Sequence, residues 1–192
     1  IEMDRAPAKD RLLDAAAELF YRQGVSATGI DTITAHAGVA KMSLYNNFSS
    51  KADLVRAYLE RRLNEWQSFY KQRLEAAKTP KEKVLAVFDS YVDHAALSYQ
   101  WGFRGCGLLN AAAELDVDDP ARSTVIFQKE EAERLFREHL AELRPSDTDW
   151  VNGTAEHLSF LLEGAMARSG LEGHDGRLIS ARRIALSLLE TA

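Results

Sequence analysis

The chain has a single cysteine, Cys106, among its 192 residues. That excludes an internal disulfide and a zinc site built on thiolates, and it fits a reducing, cytoplasmic setting. Only four prolines are present, so long stretches are free of the residue that breaks helices. No apolar run approaches the roughly 18 to 20 residues that a membrane span needs. No secretion signal is legible near the first residue, so no membrane contact is expected. His94 beside Asp93 and His157 beside Glu156 are too isolated to make a metal site. No nucleophile sits near a base, and no carboxylates pair at useful spacing. The expectation is therefore no catalytic residue, no metal, no cofactor and no enzyme activity. Positive charge is also short: the formal net charge is −5. Residues 1–52 balance six Lys or Arg against six Asp or Glu, so the acidity lies in the remainder. A protein that coats nucleic acid without regard to sequence is expected to be basic, which this chain is not.

What is abundant is helix-forming sequence. Apolar residues recur at helical spacing, and no stretch alternates with a strand period. The spacing predicts nine helices and no sheet, an all-α fold. A first helix over Lys9 to Gly24 carries Leu12, Leu13, Ala16, Leu19 and Phe20. Thr28 is expected to cap a second helix starting near Gly29 and ending near Ala37. A third covers Ala40 to Asn47. Ser49 or Ser50, with Asp53, caps a long fourth helix from Lys51 towards Ala77. Thr79 and Pro80 open a fifth, reaching about Ser98. Gly102 to Gly107 lacks the Gly-Lys-Ser/Thr of a phosphate-binding loop and no strand precedes it, so it reads as a kinked entry to a helix over Leu108–Leu115. Asp119-Pro120 starts the next helix, which stops before Arg144-Pro145. Asp147 or Thr148 caps one running to about Ser169. The last covers Arg177 to Leu189. Residues 1–50 are expected to form one domain and 51–192 a second, with the helix over 51–77 connecting them.

The stretch from Ile30 to Lys51 is distinctive. Two short helices flank Gly38, which suits a tight reversal, and Ile30, Ile33, Val39 and Phe48 supply the apolar edge. That is a helix-turn-helix, whose second helix is shaped for a DNA major groove. Lys41 can meet a phosphate or a guanine edge, Met42 a thymine methyl, and Ser43 and Tyr45 the backbone. Leu44 is expected to face the core. Asn46 and Asn47 can reach an adenine edge or a phosphate.

The run Thr28-Gly29-Ile30, Ile33-Thr34, Ala37-Gly38-Val39-Ala40, Leu44-Tyr45-Asn46-Asn47-Phe48 and Lys51-Ala52-Asp53-Leu54 resembles the TetR family of bacterial transcriptional regulators. The resemblance covers roughly residues 9 to 58; beyond that only the helical layout agrees. It implies that Thr28, Lys41, Ser43, Tyr45, Asn47 and Lys51 contact DNA, mostly at phosphates. Many members carry His and Tyr where this chain has Asn46 and Asn47. It also implies a helical ligand-binding and dimerisation domain, a palindromic double-stranded operator, a small-molecule effector and a homodimer.

The aromatics Trp66, Phe69, Phe88, Tyr91, Trp101, Phe103 and Phe127 suggest the lining of a pocket for an apolar or aromatic effector. Asn110, His94, His157 and Cys106 are its candidate polar handles. Gly164, Ala165, Ala167, Ala181 and Ala185 let the last two helices approach a partner closely. Leu158, Leu161, Leu162, Leu178, Ile184 and Leu188 would supply the apolar area there. The function expected is that of a ligand-responsive regulator, a repressor released from its operator by its effector. Two alternatives stand beside it, a helical enzyme and a non-specific DNA-binding protein. The first lacks a site and the second lacks positive charge.

Overall fold

A computed structural model describes residues 6–190; Glu2, Asp4 and Arg5, which enter the charge balance above, lie outside them. Among the described residues every regular element is helical. They are α1 (Ala8–Gln23), α2 (Ile30–Ala37), α3 (Lys41–Asn47), α4 (Lys51–Ala76), α5 (Pro80–Ala96), α6 (Gly107–Ala112), α7 (Arg122–Leu143), α8 (Thr148–Glu172) and α9 (Gly176–Glu190). A 3-10 turn, Tyr99–Trp101, follows α5; three residues are too few to carry a periodic signal, and the sequence did not show it.

The ends of the helices follow local chemistry. Thr79 and Glu82 form a reciprocal capping box at the start of α5, with Pro80 just inside. Ser50 Oγ accepts from the Asp53 amide, and Asp53 reaches back to the Ser49 amide. Asp147 caps α8. Three expectations need correction. Thr28 is not the cap of α2: Gly29 holds that position without a side-chain bond. Pro120 does not open α7, because Asp119 Oδ1 accepts from the Ala121 amide and folds 119–121 into a turn, so the helix begins at Arg122. α6 stops at Ala112 instead of reaching Leu115; Arg122 Nη1 takes the Ala112 and Leu115 carbonyls that further helix would have used.

The chain divides into two compact units. The first holds residues up to Arg62 together with Gly107–Val125, and the second holds Leu63–Cys106 and Ile126 onward. Contacts thus carry the first unit past residue 50 and add α6 to it. α4 supplies residues to both. In the first unit Leu12, Ile33, Leu44, Leu54, Leu59 and Leu108 are fully buried. In the second, Phe88, Phe136, Leu158 and Leu178 sit at the centre of one apolar cluster. α9 packs on both α5 and α8 there, and Arg182 grips Asp89 of α5 with two hydrogen bonds. Gly105, at φ 83°, lies against the backbone of Gly170 in α8. A Cβ on Gly170 would meet the Arg104 carbonyl and Gly105 at 2.8 Å. The glycine-rich turn is therefore a backbone packing joint.

No helix among the described residues is long and apolar enough to cross a membrane.

Candidate nucleic-acid interface

α2 ends because Gly38 adopts the left-handed conformation, φ 62° and ψ 42°, which costs a residue with a Cβ about 1–2 kcal/mol. The Gly38 amide returns to the Ala35 carbonyl and the Val39 amide to Thr34. Arg11 of α1 donates to the Ala37 and Gly38 carbonyls at 2.5 and 2.6 Å. A cation there answers the orphaned carbonyls and the negative end of the helix dipole together. The turn is thus held from below by a residue nearly thirty positions away, which sequence alone does not pair with it.

α3 then starts at Lys41. Leu44 is fully buried and Phe48 nearly so, as expected. Anchoring that side turns Lys41, Met42, Tyr45 and Asn46 outward, since positions three and four apart share a helix face. Met42 is 69% exposed and Tyr45 46%. A surface helix with a Met and a Tyr at its crest presents apolar and hydroxyl contacts together, as base methyls and phosphates require. Lys41 Nζ lies 2.8 Å from Asp31 of α2. That hydrogen bond and its charge hold the Lys41 pKa above the usual lysine range. On DNA, the ammonium would exchange Asp31 for a phosphate.

The other expected contacts divide. Ser43 and Lys51 are half-buried, and Asn46 is exposed. The Asn47 amide donates to the Ser43 carbonyl at 2.7 Å, so one of its two N–H hydrogens is used along the helix. Thr28 is buried, and its hydroxyl donates to the Gly24 carbonyl at 2.6 Å. Its side chain offers nothing to DNA in this conformation; it ties the α1–α2 connection instead. The Asp53 carboxyl at the foot of α4 is held below the usual aspartate range by the Ser49 amide and then by Arg56.

A residue that sequence reasoning missed supports this unit from behind. The Glu114 carboxylate accepts from the Val25 amide at 3.0 Å and the Ser26 amide at 2.7 Å. A Cβ on Gly24 would strike it at 2.6 Å. The segment after α6 thereby grips the turn leading into α2. A single glutamate between Ala113 and Leu115 carries no local signal of such a role.

The second unit redistributes the expected pocket residues. Trp66, Phe88, Tyr91 and Phe103 are buried, while Phe69, Trp101 and Cys106 are partly so. Trp66 spends its indole N–H on Ser90, and Phe88 packs on Phe136, as core residues do. Phe127 is a correction: it is 46% exposed, in a surface groove with Glu130, Glu131 and Arg134 on the charged side of α7. Asn110 belongs to the first unit. His94 Nε2 faces Glu65 at 3.3 Å, and His157 is exposed on α8.

A polar group not foreseen from sequence lies between α5, α7 and α8. The Tyr91 hydroxyl donates to Glu163 Oε1 at 3.0 Å and accepts from Gln128 Nε2 at 2.8 Å. Lys129 pairs with the same Glu163 oxygen at 3.0 Å, lies over the Tyr91 ring and donates to Cys106 Sγ at 3.6 Å. Burial pushes the Tyr91 pKa up. Burial opposes the Lys129 charge, yet Cys106, Tyr91 and Glu163 outweigh it and raise the Lys129 pKa.

The residues expected at a dimer surface also divide. Leu158, Leu162 and Leu178 are buried in the core of the single chain, and Ala181 is buried at the floor of the α8–α9 groove. Ile184 is 46% exposed, and Leu161, Ala165 and Leu188 are half-buried. An apolar groove between α8 and α9 is lined by Phe160, Leu161, Gly164, Ala165, Ala181 and Ile184, with Arg168 and Arg177 at its rim. Phe160, 66% exposed, was not singled out because its helix has apolar residues almost all round.

Residues 12–58 match the family model described as "Bacterial regulatory proteins, tetR family". A TetR-family transcriptional regulator from Streptomyces coelicolor shares the fold at a TM-score of 0.82 and 31% identity, covering 95% of this chain and 96% of that one. The transcriptional activator FasR of Mycolicibacterium smegmatis is 30% identical over 130 residues, 65% of this chain. That match spans 59% of FasR's own length. The transcriptional repressor KstR2 of the same organism is 36% identical over 83 residues, 43% of this chain and 40% of that protein.

Proposed function

The chain belongs to the TetR family of bacterial transcriptional regulators and is a helix-turn-helix DNA-binding protein, and on that premise we propose that it is a cytoplasmic homodimeric repressor released from its operator by a small-molecule effector. The observation that carries the DNA-reading half is the outward row Lys41, Met42, Tyr45 and Asn46, held by the buried Leu44. Ser43, Asn47 and Lys51 flank that row and complete the contact set, mainly at phosphates.

One α3 reads too few bases to single out an operator, so two copies read a palindrome. The groove of Phe160, Leu161, Gly164, Ala165 and Ile184 supports a two-fold contact in which the α8–α9 pair of one copy meets that of the other. The effector belongs to the second unit. Because α4 contributes to both units, an effector that prefers one placement of α4 shifts the spacing of the two α3 helices. That spacing must match one DNA turn, about 34 Å, for adjacent major grooves. The effector acts only through its higher affinity for the state that does not fit DNA. Among relatives, FasR is named an activator and KstR2 a repressor, and repression is the sign proposed for this chain. The protein has no catalytic role.

The test is fluorescence anisotropy with a labelled fragment from the gene's own upstream region and a scrambled fragment, at two salt concentrations. The upstream fragment is expected to bind more tightly. Lys41→Ala weakens binding about tenfold and lowers the salt slope by about one; Tyr45→Phe weakens it less. Equal affinity for scrambled DNA sinks the operator reading, and indifference of both variants moves the interface elsewhere. A reporter driven by that upstream region, silent with the regulator and active without it, checks the sign.

A further inference from the structure

Resting on the effector-responsive reading above, we infer that the Tyr91–Gln128–Lys129–Glu163 group is the polar anchor of the effector site and that it takes a neutral hydroxyl group carried on an aromatic body. Much of the hydrogen-bonding capacity of the group is already used within the protein. The Lys129 ammonium has Glu163, Cys106 Sγ and the Tyr91 ring around it. The Tyr91 hydroxyl gives its proton to Glu163 and receives one from Gln128. One hydrogen of the Gln128 amide nitrogen serves Tyr91. Most donors in the group are thus directed at protein groups.

Two acceptors are left. Gln128 Oε1 and Glu163 Oε2 are buried, and no protein group donates to either. Gln128 as a whole is only 2% exposed. A buried acceptor without a donor is costly, so such atoms point to a missing partner that brings a proton. The charge of the group selects what kind. Lys129 and Glu163 cancel, so an anion meets Glu163 without gaining a new donor, and a cation meets Lys129 at close range. A neutral O–H satisfies an acceptor at no charge penalty. The wall beside it is aromatic: the Tyr91 ring packs edge-on to Trp66, centroids 6.1 Å apart, which suits an aromatic body on the ligand.

Cys106, the thiol touched by Lys129, directly precedes α6 in sequence. An occupant of the anchor therefore acts next to the residue that leads into the segment carrying Glu114.

The test uses the full chain and a matched pair of probes, 2-naphthol and 2-methoxynaphthalene, which differ in whether the oxygen can donate. Titration calorimetry measures each against the wild type, Gln128→Met and Glu163→Gln, with circular dichroism to confirm folding. DNA binding without probe is read in the same preparations. The wild type is expected to prefer 2-naphthol by at least about tenfold, as one hydrogen bond to a buried acceptor implies. Gln128→Met removes most of that preference and leaves 2-methoxynaphthalene unaffected, and Glu163→Gln reduces it. Equal affinity for the two probes, a preference that survives in both variants, or no binding of either probe overturns the inference. If the last result comes with higher stability of Gln128→Met, ordered water was the partner. Failure of the wild type to bind upstream DNA counts against the repressor reading and not against the anchor, because the calorimetry does not depend on DNA.

Discussion

In the helix-turn-helix, Ile33 and Leu44 are fully buried while Lys41, Met42 and Tyr45 face outward. In the second unit the polar chemistry is turned inward, with Gln128 and Tyr91 buried beside Glu163. The first arrangement can change partner without repacking: Lys41 leaves Asp31 for another anion and the core does not move. The second cannot admit a new partner without reorganising helices, because its polar atoms are enclosed by α5, α7 and α8. A surface reader and a buried sensor need opposite relations between polar groups and core, and the two units differ in that respect.

The largest effect that could break this contrast is a hole beneath the reader. Leu44→Ala is expected to cost about 2–5 kcal/mol and to abolish DNA binding. Trp66, Trp101 and Trp150, all three of the chain's tryptophans, lie in the second unit. Their fluorescence therefore reports on that unit alone, whereas circular dichroism sees every helix. In urea, the dichroism of this variant should begin to fall before tryptophan fluorescence changes. Coincident transitions would mean that the two units unfold as one.

Removing the strut is the next largest change. Arg11→Met strips the Ala37 and Gly38 carbonyls of their donor, at an expected cost of about 1–2 kcal/mol. DNA affinity should fall although Arg11 touches no base. Wild-type affinity in a variant that has lost stability would show that the turn geometry holds without it.

A smaller effect has the opposite sign. Asp31→Asn frees Lys41 and removes a negative charge from the DNA-facing side. Affinity for DNA is expected to rise roughly threefold at low salt, with the gain shrinking as salt rises. A loss of affinity would show that Asp31 orients Lys41 productively rather than competing for it.

The smallest effect is a pH dependence at the foot of α4. The Asp53 pKa is depressed in the folded protein by the Ser49 amide and Arg56. A depressed carboxyl pKa stabilises above the unfolded value, about 3.9, and that contribution disappears as pH falls through the folded value. Wild type should therefore exceed Asp53→Asn in stability at neutral pH and converge with it in acid. A difference that persists below the ordinary aspartate range would rule out the carboxylate as its source.

How much of this was legible in advance depended on distance along the chain. Helix spans followed from apolar spacing, and the caps at Ser50, Thr79 and Asp147 from residues three positions away. The errors fell where a distant group intervened. Thr28 looked like a cap and a phosphate contact until its burial against α1 was seen, and α6 ended early because Arg122 took its carbonyls. Composition marked the second unit's aromatics but not their direction, so Phe127 was grouped with Phe88 although one is exposed and the other fully buried. Of the leucines expected at a dimer surface, Leu158, Leu162 and Leu178 are buried within the chain, whereas Leu161 and Leu188 are half-buried. On α8 and α9, periodicity does not separate the face toward α5 from the face toward a partner.

The all-helical class, the helix-turn-helix with Gly38 at its turn, and the family can all be read from the residues in order. Each depends on residue type within a few positions, where backbone sterics and side-chain spacing act directly. The brace of Arg11 on the turn, the grip of Glu114 on the loop before α2, and the buried site shared by Tyr91, Gln128, Lys129 and Glu163 emerge only from packing. Those pairings join residues far apart in the chain, and their partners exist only once packing has closed the distance and removed the water.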